Sequence, residues 1–371
     1  MTFPTNVARI DMKDIHRLIA EAGNLSARGD REGAVAQAIR AGIQADARRD
    51  LGSLIESGTL LERLGEYSRA GRYLGLAGLM MKPCPIPEWT GGILTDKTFV
   101  VLQRIRDIGS PIRLARLIPP AARGARRCIV LSERRLVPIY RRSFPDFDIR
   151  EAGIDDAAAL AEADVAASYE TLLTYEKLNT STERVVLRPD PVRVAQLRAR
   201  YGAGGEPIIG ISWCSTNARK DLPSLSDWRA ALPAIPGTLV SLQYGDVVGD
   251  VAELSRSGRQ VILDPEIDAL DDLDGFSAQV AAMDAVLSIS TTCVHVAGAL
   301  GIPATVLLDD LPHLIWSPGA LNAEPWYRNV SLVRRHGRDW GKAFAQAIDS
   351  LRCQLAASGH QRTALNIEHL V

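Results

Sequence analysis

Residues Ala285–Leu308 read AVLSISTTCVHVAGALGIPATVLL, a run of 24 residues without a Lys, Arg, Asp or Glu. A hydropathy window offers such a run as a membrane span, but its interior argues otherwise. Ser288, Ser290, Thr291, Thr292 and His295 place polar groups through the first half, and Gly301-Ile-Pro303 breaks a helix before it could cross a bilayer. The ends, Ala285–Ile289 and Ala304–Leu308, are short, β-branched-rich runs that read as buried strands. The pattern is therefore strand–turn–helix–turn–strand, a βαβ unit with Thr291 and Thr292 at the helix start. A helix start offers unpaired N–H groups and the positive end of the dipole. It is a natural seat for phosphate oxygens, and this reading places a nucleotide diphosphate there.

Outward from that unit the second half repeats its pattern. Strands are expected at Ile208–Trp213, Thr238–Gln243, Gln260–Leu263, Val286–Ile289 and Ala304–Leu308, alternating with helices at Ser226–Leu232, Val248–Ser257, Gly275–Met283 and Thr292–Leu300. Repeated βα units imply a mostly parallel sheet covered on both faces, with ligands beyond the carboxyl ends of the strands. In the first half, Phe99–Leu102 and Cys128–Leu131 read as strands, Phe147–Arg150 as a third, and Pro111–Arg123 and Ser132–Arg142 as helices. Ala163–Leu173 and Asn179–Leu187 stay ambiguous. Arg188-Pro-Asp-Pro191 and Gly202-Ala-Gly-Gly205 bracket a helix taken as the connection between the halves. No G-x-G-x-x-G follows any expected strand, which argues against a dinucleotide-dependent dehydrogenase.

Upstream of the α/β region the text is helical and repetitive. Gly29, Ala34 and Ala41 return 36 residues later as Gly65, Ala70 and Ala77, within GDREGAVAQAIRAGI and GEYSRAGRYLGLAGL. Small residues at fixed offsets let paired helices approach closely, which is the physics of the tetratricopeptide repeat. The other reading is an Ala/Gly-rich helical bundle without a binding role. Two such repeats are fewer than the roughly three needed to stand alone, so the block should dock on its neighbour or on a partner. Lys82-Pro-Cys-Pro-Ile-Pro-Glu88 closes it, since alternate prolines forbid helix. The expected division is a helical region over 1–83, a first α/β domain over 84–190 and a second over 191–371.

The chain has 371 residues, enough for two or three domains, and a net charge of −1 that favours neither nucleic acid nor an acidic membrane surface. The opening MTFPTNVARIDMKD lacks a secretory pattern. Cys84, Cys128, Cys214, Cys293 and Cys353 are scattered and never paired as C-x-x-C, which fits a reducing compartment and a cytoplasmic location.

GISWCSTNARKDLPSLSDW, SLQYGD, STTCVHVAGALGIP, EPWYRNVSLVRR and Asp339-Trp340 follow one another in the second half. Their order resembles that in bacterial tetratricopeptide-containing glycosyltransferases, related to the heptosyltransferase-like and O-GlcNAc-transferase-like families. The resemblance covers most of Trp89–Leu351 and implies a GT-B fold, a pair of Rossmann-type domains behind the short helical region. It also implies sugar transfer from a nucleotide-sugar donor held mainly by the second half, without metal and with no separate cofactor.

The residues themselves agree in part. Ser212, Trp213 and Ser215 belong to a polar loop at a strand end, where a donor phosphate or ribose could lie. Lys220 is the only lysine between Lys177 and Lys342; it is either a solvated surface residue or the cation that neutralises the leaving diphosphate. Gln243 and Tyr244 end the next strand, as packing or as contacts to the base. His295 lies one helical turn past Thr291, so it is either a core histidine or a phosphate contact in the same cleft. Trp316 and Trp326-Tyr327 read first as packing, and otherwise as the cleft mouth. Asp272-Leu-Asp274 resembles a metal-chelating D-x-D, but it precedes a helix and reads as a cap.

The related proteins carry an acidic pair in a stretch E-Q-G-x-G-D before I-x-x-A-R. Here the text is IRDIGSPIRLAR, so Ile105 stands for the Glu and Ser110 for the Asp, while Gly109 remains. A further Asp, before the helix of the second-half motif, is replaced by Ser290. An inverting transfer needs a base for the acceptor proton, and serine alone cannot serve. Asp107, three residues away, could substitute; otherwise the acceptor is deprotonated by another route, or the chemistry is altered or lost. Two functions compete: a glycosyltransferase acting on a hydroxyl, including Ser/Thr of a protein held by the helical repeat, and a scaffold or nucleotide-binding adaptor that kept the fold.

Overall fold

The computed structural model describes residues 12–104, 107–175, 185–217, 220–309, 316, 323–324 and 326–368. Ile105 and most of Asn179–Leu187 lie outside them. The helical block consists of α1 (Met12–Ala27), α2 (Arg31–Arg48), α3 (Leu51–Arg63) and α4 (Tyr67–Met81). Asp30 and Asp50 cap α2 and α3 by accepting from the Gly33 and Ser53 amides at 2.9 and 3.2 Å. Gly29 and Gly65 make the turns between paired helices with φ of 83° and 78°. The repeated alanines 34, 41, 70 and 77 are all fully buried between the helices.

The first lobe is a parallel four-stranded sheet in the order β3-β2-β1-β4, from β1 (Thr98–Leu102), β2 (Arg127–Ser132), β3 (Asp148–Glu151) and β4 (Val165–Ser168). The expected helix over Pro111–Arg123 is broken into α5 (Gly109–Leu114), a 3-10 turn and α6 (Ile118–Ala121), where Pro119-Pro120 remove backbone donors. Ser132 belongs to β2, and Pro138 sits in the first turn of α7 (Val137–Ser143), so that helix starts later than expected. After α8 (Asp156–Glu162), the ambiguous Ala163–Leu173 resolves into β4 followed by the single-turn helix α9 (Tyr169–Leu172).

Helix α10 (Pro191–Tyr201), capped by Asp190, packs on the second lobe; Arg198 reaches Asp284 at 2.7 Å. That lobe is a seven-stranded sheet with the order β10-β11-β9-β8-β5-β6-β7. Its strands are β5 (Ile208–Ser212), β6 (Thr238–Ser241), β7 (Val261–Ile262), β8 (Ala285–Ile289), β9 (Ala304–Leu308), β10 (Ala323–Glu324) and β11 (Tyr327–Arg334). Only the β10–β11 pairing is antiparallel. Helices α11 (Leu225–Ala231), α12 (Val248–Ser255), α13 (Leu273–Ala281), α14 (Thr292–Leu300) and α15 (Trp340–Glu368) cover it. No helix among the described residues is long and apolar enough to cross a membrane.

The helical block docks on both lobes. Ser68 donates to the Thr174 carbonyl at 2.9 Å, buried Glu62 pairs with buried Arg113 of α5, and the Tyr67 and Trp326 rings meet edge to face at 5.1 Å. One apolar core runs from Leu74 of α4 through the first sheet to α14 and Tyr327 of the second lobe. The lobes are latched by Arg142, which holds Asp274 through two bonds of 2.7 and 2.9 Å.

Candidate active site between the lobes

The chain passes from β5 to β6 and β7 on one side of the second sheet, then returns to place β8 on the other side of β5. A ligand crevice forms at such a reversal, outside the carboxyl ends of the two diverging strands. Here the loops after β5 and β8 flank it, and Lys220 joins them. Its Nζ donates to the Ser290 carbonyl and approaches Ser215 Oγ at 3.3 Å. Burial lowers the Lys220 pKa, while the neighbouring Asp309 carboxylate works in the opposite direction. A half-buried ammonium beside carbonyl and hydroxyl oxygens suits an anionic ligand.

Thr291 is the N-cap of α14 in an extended conformation, and its side chain makes no capping bond. The helix thus opens onto the crevice without a side-chain plug from its own cap, and Thr292 is half-buried there. Ser290 is more committed, since its hydroxyl accepts from the Trp316 indole at 2.7 Å.

The loop after β5 is held by Gln243. Its Oε1 accepts from Ser212 Oγ at 3.0 Å and from the Trp213 and Cys214 amides at 2.8 and 2.9 Å, and its Nε2 donates back to the Cys214 carbonyl. Ser212, Trp213 and Gln243 are buried, and the Trp213 indole donates to Asp250 at 2.8 Å. These three shape the loop, whereas Ser215 and Tyr244 lie nearer solvent. Tyr244 accepts from the Thr216 amide at 2.9 Å and so pins the loop tip.

His295 is buried, as in the core-histidine reading, and not open to solvent in the crevice. Its ring stacks on Trp316 at 5.1 Å and 9°, its Nδ1 lies 3.3 Å from the Tyr327 hydroxyl, and it is 6% exposed. Burial, reinforced by Arg113 and Lys220, depresses its pKa to about 3, so it is neutral near pH 7. Its edge faces Gly109 of the first lobe, where a Cβ would stand 2.7 Å from the imidazole Cδ2. Glycine at 109 is what lets the lobes meet. Gly298, one turn further on α14, likewise admits the Tyr327 ring.

On the first-lobe side Asp107 is exposed and accepts from the Ser110 amide at 2.6 Å, at the start of α5. Ser110 is therefore a backbone donor to the acid that stands beside it. Trp326 and Tyr327 are buried, with the Arg113 and Arg116 guanidinium groups over their rings at 5.1 and 5.4 Å. Asp272 caps α13 through the Gly275 amide at 2.8 Å and pairs with Arg193 at 2.9 Å. Among the described residues, no group of three or more His, Cys, Asp or Glu could hold a metal ion.

No protein-family model matches the chain. Protein FlbA of Caulobacter vibrioides is 29% identical over 295 residues, 72% of this chain, and the chain spans 48% of that protein's length. The glycosyl transferase family 9 structure from Veillonella parvula DSM 2008 superposes with a TM-score of 0.53 at 11% identity, covering 72% of this chain and all (100%) of that one. The E. coli ADP-heptose lps heptosyltransferase II gives 0.48 at 12% identity over 71% of this chain and 99% of its own. The first superposition establishes the fold: two α/β lobes of the GT-B glycosyltransferase kind behind a helical region.

Proposed function

We propose that this protein transfers a sugar from a nucleotide-sugar donor to a hydroxyl acceptor, with the donor diphosphate in the β5/β8 crevice. The observation that carries the reading is the position of Lys220, which bridges the loops after the two diverging strands, beside the opening of α14. A diphosphate there would gain the ammonium, the helix-start amides and the Ser215 and Thr292 hydroxyls. Lys220 would offset the charge of the departing nucleoside diphosphate, a role that needs no metal ion. Asp107, on the opposite lobe, is the acid available to take the acceptor proton. The helical block, read as tetratricopeptide-like, would present a Ser or Thr of a protein acceptor, and the setting would be cytoplasmic.

The test is a thermal-shift and turnover screen with UDP-, GDP-, CMP- and ADP-linked sugars and the matching nucleotides. A ligand at 100 times its Kd should stabilise the fold by about 2.7 kcal/mol, and Lys220→Ala should remove most of that shift. No turnover of any donor by the folded protein would sink the reading. A scaffold role is the second reading, favoured by Ser290, whose hydroxyl is taken by Trp316 rather than left for a donor. Loss of function in Thr292→Ala with partner binding intact would eliminate it.

A further inference from the structure

The ladder between β1 and β2 runs from Thr98 opposite Arg127 to Val101 opposite Val130. Just past the end of β1, the side chain of Gln103 continues the bonding that the two backbones stop making. Its Oε1 accepts from the Glu133 amide, the first after β2, at 2.9 Å, and its Nε2 donates to the Asp107 carbonyl at 3.1 Å. A primary amide carries the same donor and acceptor as a peptide group. Gln103 therefore forms a rung between the end of β2 and the loop that follows β1. The two bonds also fix which way round the amide sits, since a backbone N–H faces one end and a carbonyl the other.

Gln103, Asp107 and Glu133 all line one cavity of about 640 Å³ at the carboxyl ends of β1, β2 and β3. Asp107 is exposed there, on a loop with few holds. Upstream, buried Arg104 is clamped by Glu88 beneath Gly78 of α4, where a Cβ would stand 3.1 Å from the Arg104 Cδ. Downstream, the Ser110 amide donates to Asp107 Oδ1 at 2.6 Å. Among the described residues, the bond from Gln103 is what ties the Asp107 backbone to the sheet. The far end of the rung is braced as well. The Glu133 carboxylate accepts from the Arg135 amide at 3.0 Å and from its Nε at 2.8 Å, and the same guanidinium donates to the Leu270 carbonyl of the second lobe at 2.7 Å. A continuous set of bonds thus runs from Asp107 through Gln103, Glu133 and Arg135 to the lobe that carries Lys220.

We infer that Gln103 is a positioning residue for deprotonation of the acceptor: its amide holds Asp107 at the wall of the first-lobe cavity and in register with the second lobe. The inference rests on the sugar-transfer reading. As the acceptor oxygen bonds to the anomeric carbon, the bond from that carbon to the donor phosphate oxygen breaks, and its electron pair leaves with the nucleoside diphosphate. The hydroxyl proton passes to the Asp107 carboxylate and from there to solvent. A base acts only within hydrogen-bond reach of the proton it takes, and an exposed loop left to itself would spread Asp107 over many positions. Gln103 touches neither the acceptor nor the donor in this scheme; it acts through Asp107.

The experiment compares wild type, Asp107→Asn, Gln103→Ala, Gln103→Glu and the double variant Gln103→Ala/Asp107→Asn in the full chain. It measures kcat and KM for whichever nucleotide sugar is consumed, and it follows backbone amide exchange by NMR without donor. Asp107→Asn should lower kcat at least about 100-fold. Gln103→Ala should lower kcat about 10- to 100-fold, the scale of a misplaced group, with donor KM unchanged. The double variant should be no slower than Asp107→Asn alone, because a residue that acts only through Asp107 has nothing left to position. In Gln103→Ala the Ser110 and Glu133 amides should both exchange several-fold faster. Gln103→Glu keeps the length and the acceptor for the Glu133 amide but sets a carboxylate oxygen against the Asp107 carbonyl, so only the Ser110 amide should speed up and kcat should still fall. A wild-type kcat in Gln103→Ala overturns the inference and leaves sugar transfer standing. So does a double variant slower than Asp107→Asn by the full Gln103→Ala factor, which would mark a general structural role. Unchanged exchange at Ser110 in both Gln103 variants overturns it on geometry, whatever the kinetics. If no donor turns over in wild type, the sugar-transfer reading fails and takes this one with it.

Discussion

The two lobes reverse their strand order in the same way, yet they furnish the reversal with opposite chemistry. In the second lobe the crevice between β5 and β8 holds an ammonium, hydroxyls and the opening of α14. In the first lobe the segments after β1 and β4 carry two carboxyls, Asp107 exposed and Glu170 buried. One gathers positive charge and hydroxyls, and the other gathers acids. The topology makes two places where loops can meet, and the side chains on those loops decide what each place does.

That contrast depends on the lobes being held face to face, and the most damaging way to break it is to undo the hold. Glu62→Ala leaves Arg113 buried without its carboxylate, which should cost about 3–5 kcal/mol and lower the urea midpoint. A midpoint within error of wild type would mean that the helical block does not brace the first lobe. Next in size is Gly109→Ala, which forces a methyl against His295 at the lobe contact. It should cost about 1–3 kcal/mol in thermal or chemical unfolding without touching Lys220, and it should weaken nucleotide binding only through the altered lobe contact.

The effect that is smallest per pH unit is also the most specific, because the two lobes should respond to pH with opposite signs. His295 has a depressed pKa, so its contribution is present above the unfolded value of 6.5 and is lost as pH falls toward about 3. Glu170 has a pKa raised by burial, so its contribution is full below its ordinary value of 4.5 and is lost as pH rises through about 7. Each slope is at most about 1.4 kcal/mol per pH unit. Stability curves for His295→Asn and Glu170→Gln should each lose one slope and keep the other. Identical curves for both variants would erase the electrostatic distinction between the lobes.

The second lobe was legible in the sequence because its strands are apolar runs ended by Gly, Pro or Ser, and its loops carry their polar residues in order. What escaped there was direction. Gln243 and Trp213 turn inward because their partners, the Cys214 amide and Asp250, are close only after folding. The same holds for His295, whose neighbour Gly109 lies in the other lobe. The EPWYRNVSLVRR segment reads as a motif, and folding makes its Tyr327–Arg334 a strand. In the first lobe, β4 is the four-residue run Val-Ala-Ala-Ser followed by a single helical turn, too short and too Ala-rich to separate from helix by periodicity. That ambiguity hid Glu170. The available signal was Ser168, a residue suited to end a strand and cap a helix. The departures from the resembled motif at Ile105, Ser110 and Ser290 are plain in the sequence, and so is Asp107, whose carboxylate accepts from the Ser110 amide.

The apolar core that begins at Leu74 in the helical block continues to Leu332 in the second sheet, with the buried Glu62–Arg113 pair beside it at the first boundary. Such continuity leaves little for any one region to gain by melting ahead of the others. Heat should be taken up in one endotherm, and a fragment that begins after the prolines at 83–87 should expose a sticky face instead of folding as a smaller stable unit.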